Sequence, residues 1–148
     1  MEFDRDRVGR LVSELLKALR NLRDLQGLSR EEFLSDPHKV SSAKYNFIVA
    51  IEAALDLCNH LIAKNRFRVP EDYADTFRVM GEEGVFPGDF VNDLMGMARF
   101  RNRLVHIYWE VDDGELCRIL QEMLGILIDF FGAGQVFEGR GGGVAPPL

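Results

Sequence analysis

The sequence is poor in the features that mark several large classes of protein. It has two cysteines, Cys58 and Cys117, each in an apolar helical pattern and without Cys-x-x-Cys spacing, so they read as reduced core residues. A disulfide framework and a cysteine zinc site are thereby excluded. No apolar run is expected to cross a membrane, and the charged start Met1-Glu2-Phe3-Asp4-Arg5-Asp6-Arg7 lacks the apolar centre of a signal peptide. A cytoplasmic protein is the expectation. Strand alternation, a glycine-rich phosphate loop and internal repeats are all missing. Net positive charge is missing too: the formal charge is −6, against the basic balance of a protein that coats nucleic acid. A local cationic site remains compatible with it. Arg99, Arg101 and Arg103 form such a run, although the simpler reading of Arg99 and Arg103 is that they solvate the outer face of a helix.

What remains is helical periodicity. At 148 residues and 47% hydrophobic content, the chain is one domain able to bury a sizeable core. Val8, Leu11, Leu15, Leu19 and Leu22 predict a first helix from Asp4 to Gln26, ended by Gly27. Ser29 and Glu32 have capping-box spacing for a short helix to Leu34. Asp36-Pro37 is an N-cap followed by proline at the first helical position, opening the longest helix, Pro37 to Asn65, with Ile48, Ile51, Leu55, Cys58 and Ile62 as its core stripe. A helix from Tyr73 to Glu83 carries Tyr73, Phe77 and Met80 before Gly84. Another spans Phe90 to Tyr108. Asp112 and Glu115 start a last one, Leu116 to Phe131. The predicted architecture is all-α: an antiparallel bundle of four main helices plus short ones over residues 1–135, then a disordered tail rich in glycine and proline at 136–148.

The chain is organised around Arg101-Asn102-Arg103-Leu104-Val105-His106-Ile107-Tyr108. On a helix, Phe90, Leu94, Met97, Arg101, Leu104 and Tyr108 share one stripe, which puts a guanidinium in the middle of an apolar face. Such a group cannot neutralise itself, so an anionic partner is required. Glu52 and Asp56, four apart on the longest helix, are candidates; a solvated or dimer-facing edge is the commoner fate of such a pair. His60, near the end of that helix, reads as a helix-end histidine interacting with carbonyls. Asn102 and His106 are four apart and share a face, whereas Arg101 and His106 would project roughly 140° apart on an ideal helix. The helix therefore ends or bends near His106, or Arg101 curls round, or a second subunit completes the site.

Arg101-Asn102 with His106 five after the arginine and Tyr108 two further on resembles the Arg-x4-His-x-Tyr motif of the HepT family, HEPN-domain toxins paired with an MntA-type minimal nucleotidyltransferase antitoxin. Leu104-Val105, Trp109-Glu110-Val111-Asp112 and Ala54-Leu55-Asp56-Leu57-Cys58-Asn59-His60-Leu61-Ile62 carry the likeness further, over about residues 5 to 135. Ile107 departs from it, since a small residue is expected there. The resemblance implies a HEPN-like fold and a metal-independent endoribonuclease without a cofactor, acting on RNA such as transfer RNA. Arg101 would hold phosphate, His106 would move a proton and Asn102 would orient either, with Glu52 and Asp56 as support. It further implies that the antitoxin adenylylates Tyr108. A single histidine is a thin supply of acid and base, so a symmetric homodimer with motif helices facing across a cleft is expected. Plainer readings stand beside these: a buried structural His106 with Arg101 as its salt-bridged neighbour, a core Tyr108 with its hydroxyl satisfied, and a non-catalytic helical subunit that binds a nucleotide or a partner.

Overall fold

The computed structural model describes residues 1–139. Their elements are α1 (Arg5–Gln26), α2 (Arg30–Leu34), α3 (Pro37–Lys64), α4 (Tyr73–Glu82), α5 (Gly88–His106), a 3-10 turn (Tyr108–Glu110), α6 (Asp113–Glu122) and α7 (Leu124–Gly139). Five of the seven helices open on a side-chain cap. The carboxylates of Asp4, Asp36, Asp72 and Asp112 accept backbone N–H groups of the first turns of α1, α3, α4 and α6, and Ser29 and Glu32 close a reciprocal capping box on α2. Each such cap contributes about 1 kcal/mol and fixes where its helix begins.

α3 is the central helix. Phe47, Ala50, Ile51, Ala54, Leu55, Cys58 and Leu61 are buried along it, and burial pushes the Cys58 thiol far up, which keeps it an inert core residue. α1 runs antiparallel to it: the Asp4 N–H donates to His60 Nε2 (2.9 Å), Glu2 and Asn65 exchange bonds of 2.8 Å, and Asn21 Nδ2 donates to Asn46 Oδ1 (3.1 Å). α4 and α5 form a second antiparallel pair. Gly84 turns the chain between them at φ +74°, where a side chain would be strained, and Gly81 lets Val91 approach closely. Phe130 of α7 packs on Phe77 and Phe86, and Phe47 meets the edge of Phe100, tying both pairs into one core.

Several expectations are corrected. Ile48 is only half-buried, and Phe47 and Ala50 take its place in the stripe. Tyr73 lies outside the core on its helix, with 43% of its surface exposed. The last helix is two, broken at Met123 (φ −115°, ψ −8°) within an apolar periodicity that runs on unchanged. α3 is, by length and composition, apolar enough to cross a membrane, contrary to the sequence reading; most of that stretch is buried as the core helix of the bundle. α7 continues to Gly139, past the expected boundary at residue 135, and the rest of the expected tail lies outside the described residues.

Candidate active site

α5 delivers the motif. Leu94, Met97 and Leu104 are buried as the stripe requires, and Arg101 between them has a side chain only 11% exposed. Its anionic partner is Glu52 on α3. Nε (3.1 Å) and Nη2 (2.6 Å) both donate to Glu52 Oε1, and Nη1 donates to the Asn102 amide oxygen (3.1 Å). The guanidinium carbon also lies 4.7 Å from the centroid of the Tyr73 ring, a cation–π contact. Three of the five guanidinium N–H groups are thus engaged and two remain, one on each terminal nitrogen. Asp56, one turn along α3, is not brought to Arg101. It is exposed beside the groove between α1 and α3, where partial burial raises its pKa and the charge of Glu52 raises it further.

α5 stays helical through His106, so the Arg101 and His106 side chains leave it on different sides, as the spacing requires. α5 stops at His106, two residues short of the expected Tyr108, because Ile107 adopts φ −137°, ψ 45° while its N–H still bonds Arg103 O. That conformation has negative φ, which any L-residue adopts, so the departure at Ile107 needs no glycine. Arg101 faces α3. Asn102 and His106 instead line a cavity of about 530 Å³, shared with Asn59 of α3, Tyr73 and Thr76 of α4, and the segment Val69 to Asp72. Tyr73 is the corner post, touching Arg101 on one side and lining the cavity on the other.

The segment forming the cavity wall is held by Asp75. Its buried carboxylate accepts from both terminal nitrogens of Arg68 (2.7 and 3.1 Å), from Arg78 (3.1 Å) and from the Glu71 N–H (2.9 Å). The Arg68 guanidinium, and then the Glu71 amide, hold Asp75 well below the usual carboxylate range.

His106 is exposed at the helix end, so it is not a buried structural histidine. Tyr108 has left the stripe altogether: the 3-10 turn presents it 60% exposed, with Trp109 beside it at 68% and their rings 5.5 Å apart edge to face. The arginine run is split, since Arg103 makes a two-point ion pair with Glu115 of α6 while Arg99 points outward. His60 accepts an N–H from the start of α1 and makes no hydrogen bond to a carbonyl among the described residues; partial burial, then Arg7 and Lys64, lower its pKa. Sequence reasoning missed Tyr73, Asn59 and Thr76 as members of the site. The one available signal was Tyr73 directly after the N-cap Asp72, where a side chain stands at a helix mouth.

Comparison with known proteins gives the family. A family model described as "Ribonuclease HepT-like" matches residues 15–133. A protein of Archaeoglobus fulgidus named "Putative RNase" is 29% identical over 67% of this chain and 74% of its own length. The "mRNA nuclease HepT" of Shewanella oneidensis is 20% identical over 76% of this chain and 84% of its own. In fold, the chain matches the tri-AMPylated HEPN toxin of Shewanella oneidensis, solved in complex with its MNT antitoxin, with a TM-score of 0.80 and 19% identity over 88% of this chain and 98% of the other. With most of its length matched by the family model and its fold shared with such a toxin, the chain belongs to the HepT-like ribonuclease family.

Proposed function

We propose that this protein is the toxin of a cytoplasmic toxin–antitoxin pair: an endoribonuclease that needs no metal ion, silenced when an MntA-type nucleotidyltransferase adenylylates Tyr108. The observation that carries the reading is the division of labour at the end of α5. Arg101 is fixed by Glu52, Asn102 and Tyr73 with two N–H donors to spare, and His106 stands exposed on the adjoining cavity. His106 takes the proton of a 2′-hydroxyl, whose oxygen attacks the neighbouring phosphorus. The bond to the 5′-oxygen breaks, that oxygen gains a proton, and a 2′,3′-cyclic phosphate is left. Arg101 meets the charge growing on the phosphate, and Asn102 keeps its guanidinium in place.

One motif histidine per chain supplies one proton-transfer group, so a second copy of the chain provides the acid for the leaving oxygen in a symmetric dimer. Val105 and Trp109, exposed beside His106 and Tyr108 in the chain, are apolar surface suited to such an interface or to the antitoxin. The exposure of the Tyr108 ring supports its role as acceptor of adenylate from ATP, with pyrophosphate as the other product. The bulky anion so placed would deny an RNA phosphate its site.

Glu71 and Asp72 on the cavity, which do not suit an RNA phosphate, favour a second reading, a non-catalytic helical subunit that binds a nucleotide or a partner. The two are separated by His106→Ala in cells carrying the cognate nucleotidyltransferase. Loss of RNA cleavage and toxicity with dimer and complex intact supports the nuclease; loss of the complex itself supports the binding subunit.

A further inference from the structure

The cavity beside α5 has a chemistry that phosphate binding does not explain. Arg101 is not among its lining residues, whereas Glu71 and Asp72 are, and two carboxylates repel a phosphate. The Asp72 carboxylate is engaged in capping α4 through the Asp75 N–H (2.7 Å), but that of Glu71 accepts no hydrogen bond among the described residues. Opposite in kind are two amides. The buried Thr76 hydroxyl, with one proton to give, lies 3.3 Å from Asp72 O and 3.4 Å from the Asn59 oxygen, and the Asn59 Nδ2 has no acceptor among the described residues. The Asn102 oxygen is taken by Arg101, leaving its Nδ2 as a donor. Tyr73 adds an aromatic wall, part of it exposed. An aromatic wall, a free carboxylate and amide groups in one concavity suit a nucleobase, which stacks and carries donors and acceptors on its edges.

We propose that this cavity is a base-reading subsite, taking guanine on the 5′ side of the phosphate that Arg101 holds; the inference rests on the ribonuclease reading above. The 5′ side follows from His106, which lines the same cavity and, as base, must reach the 2′-hydroxyl of that nucleotide. Guanine follows from the acceptor. Its N1–H and N2–H are adjacent and one carboxylate takes both, while O6 and N7 on the other edge accept from amides; uracil offers a single N–H, and adenine and cytosine only an exocyclic amino group. Glu71 is thus the specificity residue, Asn59 its complement and Tyr73 the stacking platform.

The test is an NMR titration of the full chain with the four ribonucleoside 3′-monophosphates and with inorganic phosphate, alongside Glu71→Gln, Tyr73→Phe and Tyr73→Ala. The expected result is 3′-GMP binding at least about tenfold tighter than the other three, a step of one decade in affinity. Its shifts should centre on Asn59, Tyr73 and Thr76, Glu71→Gln should bring the four within about threefold, a residual of well under 1.4 kcal/mol, and Tyr73→Phe but not Tyr73→Ala should keep the binding. Equal affinities, no binding, or selectivity that survives Glu71→Gln overturns the subsite. Mapping of cut sites separates this from the reading beneath it. Active protein that cuts after all four bases alike overturns the subsite and leaves the nuclease standing; selective guanine binding by a protein that cuts nothing supports the subsite and removes the nuclease.

Discussion

The ion pair between Arg101 and Glu52 makes a prediction in which stability and activity separate. Arg101 is 11% exposed and Glu52 44%, so the pair lies between two limits. Breaking a fully buried pair from one side costs about 3–5 kcal/mol, and an exposed pair contributes roughly 0.2–1 kcal/mol. Glu52→Ala strands the buried partner, whose charge cannot be relieved by losing a proton, so the cost should approach about 2 kcal/mol, with Glu52→Gln nearer 1 because a neutral acceptor remains. Arg101→Ala leaves behind the half-exposed carboxylate, which water can solvate, and should cost less, about 1 kcal/mol including the lost ring contact. At 2–4 °C per kcal/mol for a chain of about this size, Glu52→Ala should lower the melting temperature by roughly 4–8 °C and Arg101→Ala by about half that. Activity should run in the opposite order: Arg101→Ala abolishes RNA cleavage, while Glu52→Ala keeps a fraction of it because the cation is still present but less well placed. Calorimetry on both singles and the double variant measures the coupling, expected at about 1 kcal/mol. Additivity within about 0.3 kcal/mol, or a larger loss for Arg101→Ala than for Glu52→Ala, would refute the reasoning.

Three further outcomes follow from the same structure. Tyr108→Phe removes an exposed hydroxyl, so stability should change by less than about 0.5 kcal/mol, while intact-mass measurement after incubation with the nucleotidyltransferase and ATP should show no adenylate on the variant. Asp75 is held below its unfolded value near about 3.9, so its contribution is complete above that value and is lost as pH falls through and beneath it; Asp75→Asn should be less stable at pH 7 and show a flatter acid limb in denaturant titrations below about pH 5. A Cβ at Gly81 would lie 2.7 Å from Val91 Cγ2, so Gly81→Ala should destabilise by about 1–3 kcal/mol in denaturant melts, with part of that loss recovered by Val91→Ala.

Much of the fold was legible because the helix starts are written in short polar signals. Ser29 with Glu32, Asp36 before Pro37, and Asp112 with Glu115 all act as caps at the positions their spacing predicts. Helix ends were less legible. Nothing apolar distinguishes Ile107 from the residues before it, so the stop at His106 comes from a backbone angle and not from a residue type. Met123 breaks a periodicity that its neighbours continue. In the site, Arg101 announced its partner by a general rule, that a guanidinium on an apolar stripe demands an anion, and Glu52 met that demand while Asp56, one turn away, did not. Tyr73 could not be found that way. Its periodicity matches the core residues Phe77 and Met80, and only the packing of α4 against α5 turns its ring out to Arg101 and the cavity.

The central claim is that Arg101 and His106 carry out transesterification of RNA without a metal ion. The most direct measurement is the chemistry of the ends produced when unmodified, purified protein meets RNA in the presence of a chelator, read by mass spectrometry. The account predicts fragments ending in 2′,3′-cyclic phosphate from the wild type and none from Arg101→Ala or His106→Ala, although both variants remain folded. Fragments ending in 3′-hydroxyl, cleavage that appears only when a divalent cation is restored, or undiminished cutting by His106→Ala would contradict it.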